Sequence, residues 1–264
     1  MSSTVLAAID LGPSSARVLN HAAGFARLWS ADLRILHVTA SPSPCEHQRV
    51  AEFCAQHASY AIDPAQVEII LRSGTVSNVI YREACKAGAR LVVMGSRGHG
   101  RVARLFLGST SAAVLGNAPA PVLLVPPIDL EIIDLNDRAS LTCGPMLAAV
   151  DLTETCSPHL ALASELAEIS RQPLVFMTVA PRRLDDHEAA VMLRQRGHGL
   201  QPIRPRAVIV RRGEIAAEIA HCAVAEQSGL VVMGLRSSKR GRTGAIASAV
   251  LRTNRAFVLA VPGC

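Results

Sequence analysis

Aromatic residues are scarce in this chain: Phe, Trp and Tyr make up 3% of its 264 residues, with a single Trp, although half of all residues are apolar. A core built almost without rings must be filled by Val, Leu, Ile and Ala, as in helices packed on a buried parallel sheet. No apolar run approaches the roughly 20 residues that span a bilayer. The opening MSSTVLAAID lacks the basic and apolar stretches of a signal peptide, so the expected location is cytoplasmic. The seven cysteines form no C-x-x-C pair, and an odd count argues against a disulfide framework. They read as reduced, small hydrophobes. Cys45, His47, Cys54 and His57 are close enough in sequence to gather a metal, but their spacing matches no structural zinc module.

The formal charge is +6, and its distribution matters more than its sum. Residues 1–127 carry 11 Lys+Arg against 7 Asp+Glu, residues 128–142 carry 1 against 4, and residues 143–264 carry 15 against 10. The basic charge is therefore spread. Its densest run, Arg236, Lys239, Arg240 and Arg242, has no aromatic residue interleaved to stack bases, so nucleic acid is not an expected partner.

What the chain does contain is an internal repeat. VLAAIDLGPSS (5–15) returns as MLAAVDLTETC (146–156), placing Asp10 on Asp151. RSGTVSNVIYREACKAGARLVVMG (72–95) returns without a gap as RRGEIAAEIAHCAVAEQSGLVVMG (211–234), and APVLLVPP (120–127) returns as AFVLAVPG (256–263). A chain of this length exceeds one comfortable core, so the repeat implies two domains of one fold, 1–127 and 143–264. The acidic segment 128–142 between them is a linker whose Leu and Ile content requires it to pack on something.

Within each half, short β-branched runs alternate with longer amphipathic ones. That pattern predicts two tandem, doubly wound α/β domains, each an open parallel five-stranded Rossmann-like sheet with helices on both faces. Strands are expected near 4–9, 32–38, 66–72, 90–95 and 121–125, and helices near 14–29, 44–60, 76–87 and 109–117. The second half should have strands near 145–150, 173–179, 206–211, 229–234 and 257–261. Its second helix, near 185–196, should be shorter than its counterpart. Asp10 then ends the first strand and Gly95 the fourth, at the carboxyl edge where open parallel sheets bind ligands.

The loop after the fourth strand is the strongest motif. Gly95, two residues, Gly98, nine residues, Gly108 and then Ser109 place glycines at both ends of a basic loop that opens a helix. Helix N-termini offer unpaired N–H groups and partial positive charge to an anion, and glycine admits a ligand close to the main chain. Arg97, His99, Arg101 and Arg104 add positive charge to the same loop. It is neither a Walker A loop, for want of Gly-Lys-Ser/Thr, nor the dinucleotide fingerprint, which follows the first strand. Taken singly, Asp10 reads equally as a helix cap before GPSS, His37 and Met94 as core, and His99 as a solvated loop residue.

Together, the Asp ending strand one, Leu36-His37-Val38, Met94-Gly95-Ser96-Arg97-Gly98 and the closing PVLLVP strand resemble the ATP-binding type of the universal stress protein family, whose loop reads G-2x-G-9x-G-(S/T). The resemblance covers nearly the whole chain twice, as in a tandem member. It implies adenine beside Ala8 and Asp10 and against the backbone of Val38. Ribose and phosphates would run along Met94, Gly95 and Gly98, reaching the amides of Gly108, Ser109 and Thr110. The implied cofactor is ATP, with or without Mg, and the implied role is a ligand-dependent switch in a stress response. The halves would pair as a pseudo-dimer through the last strands, with a further homodimer open.

The second copy of the loop is damaged. Aligned backward from the last strand, Gly244 falls on Gly108 and Ala245 on Ser109; aligned forward from Gly234, Ala247 falls on Gly108 and Ser237 on Gly98. Either way a glycine is lost, so weak or absent nucleotide binding is expected there. No paired carboxylates or motif-supported triad are present, so a switch ranks above an enzyme. A slow ATPase or other nucleotide-using enzyme is the alternative, and a non-nucleotide ligand or metal binder the third reading.

Overall fold

The computed structural model describes residues 3–57, 66–97, 107–135, 139–154, 157–198, 205–235, 243–253 and 256–263. The chain divides into two compact units, Met1–Ser140 and Leu141–Cys264. The first runs β1 (Thr4–Ile9), α1 (Ser15–Leu28), β2 (Asp32–Val38), α2 (Pro44–His57), β3 (Val67–Arg72), α3 (Val76–Ala87), β4 (Ala89–Gly95), α4 (Ser109–Gly116) and β5 (Val122–Val125), followed by the two-residue β6 (Ile133–Asp134). The two-residue β7 (Ser140–Leu141) leads into the second. That unit runs β8 (Met146–Ala149), α5 (Pro158–Ser170), β9 (Leu174–Val179), α6 (Asp186–His198), β10 (Ala207–Arg211), α7 (Ile215–Ala225), β11 (Leu230–Leu235), α8 (Thr243–Thr253) and β12 (Phe257–Pro262).

The expected strands agree with these to within one residue at each end, because continuous apolar runs bounded by polar turns have one reading here. The second-unit helix expected to be the shorter of its pair is so by one residue among the described residues: α6 has 13 and α2 has 14. Within the first unit the parallel strand order is β3-β2-β1-β4-β5, and within the second it is β10-β9-β8-β11-β12. Both faces carry helices. In the first unit α1 lies on β1 and β4 beside α2, and α3 packs beside α4. The central strands are buried nearly throughout, which is why LAAI and LVVM read as unbroken apolar runs. Gly88 ends α3 in a left-handed conformation at φ 54°, where a residue with a Cβ would be strained, and β4 follows at once.

The expected linker is held against the first unit. Ile132 is fully buried, and Ile133 lies over Gly24 of α1 so closely that a Cβ there would overlap it. The Arg27 guanidinium donates to the Leu135 carbonyl at 2.8 Å. Buried His21 completes the attachment: Nδ1 lies 2.8 Å from the Arg17 carbonyl, to which it must donate, and Nε2 accepts from the Ile132 N–H at 3.3 Å. Only the neutral ring makes both bonds. The Glu131 carboxylate stands 3.3 Å from Nε2, but desolvation dominates and lowers the His21 pKa to about 4.

This gives a signed pH dependence. Above the unfolded value of 6.5 the ring is neutral in both states and costs nothing. As pH falls through 6.5 towards 4, the unfolded chain takes up a proton that the folded chain refuses, and stability drops. The loss is at most about 3 kcal/mol for a shift of this size. Buried His159 in the second unit, also lowered to about 4 by desolvation, adds a similar loss. Urea midpoints should fall between about pH 7 and about pH 4.5, and His21→Gln should make the fall shallower. An equal fall in His21→Gln would refute the assignment to His21.

Candidate functional site

The first unit's candidate site follows from its strand order. The chain winds from β1 through β2 to β3 and then returns to the other side of β1 with β4, so the carboxyl ends of β1 and β4 border the point where the winding reverses. Ala8 pairs in register with Met94 and Ile9 with His37, so Asp10 leaves the sheet between the end of β2 and Gly95. Of the residues expected at the site, Ala8, Asp10, Val38, Met94 and Gly95 thus come to one edge. Met94 is buried and gives its side chain to the core.

Asp10 builds the loop that follows it. Its Oδ1 accepts the Gly12 N–H at 2.9 Å and the Ser15 hydroxyl at 2.9 Å. Between them Leu11 adopts φ 59°, a left-handed conformation that costs a branched residue roughly 1–2 kcal/mol. The helix-cap reading of Asp10 is therefore half right: the N-cap of α1 is Ser14, and the carboxylate holds the strained turn before it.

The two ends of the glycine loop are tied together. Ser111 Oγ donates to the Gly95 carbonyl at 2.9 Å, and the Gly108 N–H donates to the Ser96 carbonyl at 2.9 Å. The α4 N-terminus therefore stands at the end of β4 with its first turn turned to the same edge. The Gly108 amide, one of the three expected to reach a phosphate, is thus turned to the Ser96 carbonyl. The first-turn amides of Ser109, Thr110 and Ser111 have no intrahelical acceptor, and no side chain caps the helix. Ser109 is exposed and Thr110 half-buried. Gly95 is needed by its own chain, since a Cβ there would lie 3.0 Å from the Arg97 carbonyl. Gly98, His99, Arg101 and Arg104 lie outside the described residues, as does the basic run of Arg236, Lys239, Arg240 and Arg242.

His37 was read as core, and the structure gives it a further part. It is buried, its Nδ1 lies 3.0 Å from the Ile9 carbonyl, and its Nε2 lies 3.3 Å from Glu46 of α2. The ring thus joins the ends of β1 and β2 to a helix beside the expected adenine position. Nothing in the sequence marks Glu46 as its partner; only the fold brings them together. The cysteine and histidine group on α2 does not converge. Cys54 is buried, which raises its thiol to about 11, and His57 folds back on its own helix, with Nδ1 2.9 Å from the Phe53 carbonyl and its ring stacked on Phe53. Among the described residues no cluster of three such side chains could hold a metal. No described helix is long and apolar enough to cross a membrane.

Residues 46–126, which run from α2 to the end of β5, match the universal stress protein family. This stretch of the chain belongs to that family. Curated relatives agree: a Thermus aquaticus universal stress protein is 47% identical over 58 residues, covering 22% of this chain and 42% of that protein. A universal stress protein of Mycolicibacterium smegmatis is 30% identical over 138 residues, covering 46% of this chain and 47% of its own length. The chain thus spans less than half the length of these relatives. A solved universal stress protein from Archaeoglobus fulgidus covers 99% of both chains at a TM-score of 0.75 and 19% identity, which shows that the two-unit fold is shared from end to end.

The second unit keeps the frame of strands, and the start of its last helix differs. Asp151 again ends a strand and accepts from its own turn, at Thr153 N–H (2.8 Å) and hydroxyl (2.6 Å). The helix α8 begins at Thr243, so Gly244 lies inside it rather than in front of it as Gly108 does in α4. In the backward alignment Ala247, which has no hydroxyl, takes the place of Ser111.

The tie can be tested alone. Ser111→Ala leaves the Gly95 carbonyl without its donor in a buried setting and should destabilise the first unit by about 1–2 kcal/mol, read by urea unfolding. Wild-type stability in this variant would show that the two ends meet without help from Ser111.

Proposed function

We propose that the first unit binds an adenine nucleotide, ATP foremost, at the carboxyl edge between β1 and β4, and that occupancy switches the surface this stress protein presents to its partners. The observation that carries this reading is the start of α4. Gly108 sits at φ −61°, ψ 148°, a conformation open to any residue, so the backbone itself does not demand glycine there. A Ser or Asp at this N-cap would take one of the first-turn amides for itself, whereas glycine leaves them to a ligand. Those amides, with the helix dipole behind them, suit a phosphate.

The residues at this edge divide the work. Ser109 and Thr110 offer amides and hydroxyls to the phosphates, and Arg97 adds positive charge at the start of the loop. The carboxylate of Asp10 and the backbone near Val38 offer polar groups for a base and ribose. If Mg accompanies the phosphates, Asp10 would supply it a carboxylate. Binding would bridge β1, β4 and α4, which gives occupancy a route to the surface. With one Asp10 oxygen held by the turn and no second carboxylate assigned to the loop, a switch is favoured over a hydrolase.

Equilibrium binding of labelled ATP to the whole chain tests this. Wild-type protein should bind, and Gly108→Asp should keep the fold by circular dichroism while losing affinity by about tenfold or more, the effect of a carboxylate set against phosphate. Equal binding by the two proteins, or none by wild type, would defeat the proposal. Turnover of about 1 per second or faster would instead favour the enzyme reading.

A further inference from the structure

The two units treat equivalent glycines differently. Met94 pairs with Ala8 in the first unit and Met233 with Ala149 in the second, so Gly234 occupies the position of Gly95. At Gly95 the nearest atom of α1's neighbourhood is the Cβ of Ser14, 3.6 Å from where a glycine side chain would begin. At Gly234 the same point lies 3.1 Å from Nδ1 of His159 and 3.6 Å from Oε2 of Glu154. His159 is the second residue of α5, so the helix that offers a hydroxymethyl group in one unit offers an imidazole in the other.

The ring is committed to this place. His159 is 1% exposed, and the backbone of Ala149 is the hydrogen-bonding group that bears on its ring, without the geometry of a full hydrogen bond. A buried ring nitrogen short of a full partner costs about 1–3 kcal/mol, which the ring's packing must offset. Packing supplies the reason: a flat ring laid over a residue without a Cβ fills volume that would otherwise be a void. Burial also keeps the ring neutral, with its pKa lowered to about 4, so it enters as an uncharged heterocycle.

We infer that His159 is an internal plug: its side chain occupies the space over Gly234 at the carboxyl edge of β8 and β11, closing in the second unit the position that the first leaves to a small serine. Gly234 is then retained to admit the histidine and not a ligand. The group this space accepts is a neutral, planar nitrogen heterocycle. The inference stands on the second unit alone and does not depend on nucleotide binding by the first.

Two measurements on the whole chain test it, neither using nucleotide. His159→Ala should lower the melting temperature of the second unit by about 5–10 °C, and free imidazole at about pH 8, where it is neutral, should restore at least half of the loss while leaving wild type unchanged. If His159→Ala does not fold, His159→Asn, which keeps a shorter polar group, provides the same readout. Separately, Gly234→Ala should destabilise wild type because its methyl meets Nδ1, and should cost less in the His159→Ala or His159→Asn background, a positive coupling in the double-mutant cycle. No response to imidazole together with additive effects of the two substitutions would overturn the plug. Two nucleotides bound per wild-type chain would overturn it as well.

Discussion

A strand paired on both edges and covered on both faces has no free polar group until it ends, and that constraint fixes the first unit's site. β1 is hydrogen-bonded to β2 and β4 along its length, and its side chains are buried. Its first residue able to serve anything else is Asp10. Because the chain returns to β1's other edge with β4, Gly95 at the end of β4 arrives beside that same carboxylate. The ties from Ser111 to Gly95 and from Gly108 to Ser96 then bring the start of α4 to the junction. Without the double pairing of β1 these residues, spread over a hundred positions of sequence, would share no edge.

The same constraint explains why the repeat is so plain in some segments and so faint in others. A buried parallel strand asks only for apolar volume, so Val, Ile, Leu, Ala and Met interchange between the units with little cost and the frame persists. The site asks for single atoms. Replacing Ser111 by Ala247 removes one hydroxyl, and starting α8 before Gly244 moves one glycine into a helix. Neither change disturbs the sheet, and each removes part of the geometry that could receive an anion.

Strands and helices were legible in the sequence because their signals are periodic and local; both sheets follow from them once crossovers are short and right-handed. Asp10 and Gly95 were legible because a turn and a crowded strand end need residues of that kind, and Gly108 from its fixed spacing to Gly95 just before Ser109. The partners were not. That His37 would meet Glu46, that His21 would accept from Ile132 across 111 residues, and that Gly108 would spend its amide on Ser96 depend on three-dimensional proximity, which no spacing rule encodes. His159 shows the limit most sharply, since a histidine in the first turn of a helix looks in sequence like a solvated residue.

A glycine at the end of a central strand marks a missing side chain, and the missing volume must be filled by something. At Gly95 part of it is taken by the chain itself, through the Arg97 carbonyl, and the rest is bordered by a serine. At Gly234 it is taken by a histidine ring. Both glycines satisfy the same motif, so the motif records a space and not its occupant. The occupant is set by the residue that stands over the glycine at the start of the helix after each unit's first strand: Ser14, the N-cap of α1, in the first unit and His159, in the first turn of α5, in the second. The start of that helix, more than the glycines, is where the two units differ: a small residue borders the space in one and a ring fills it in the other.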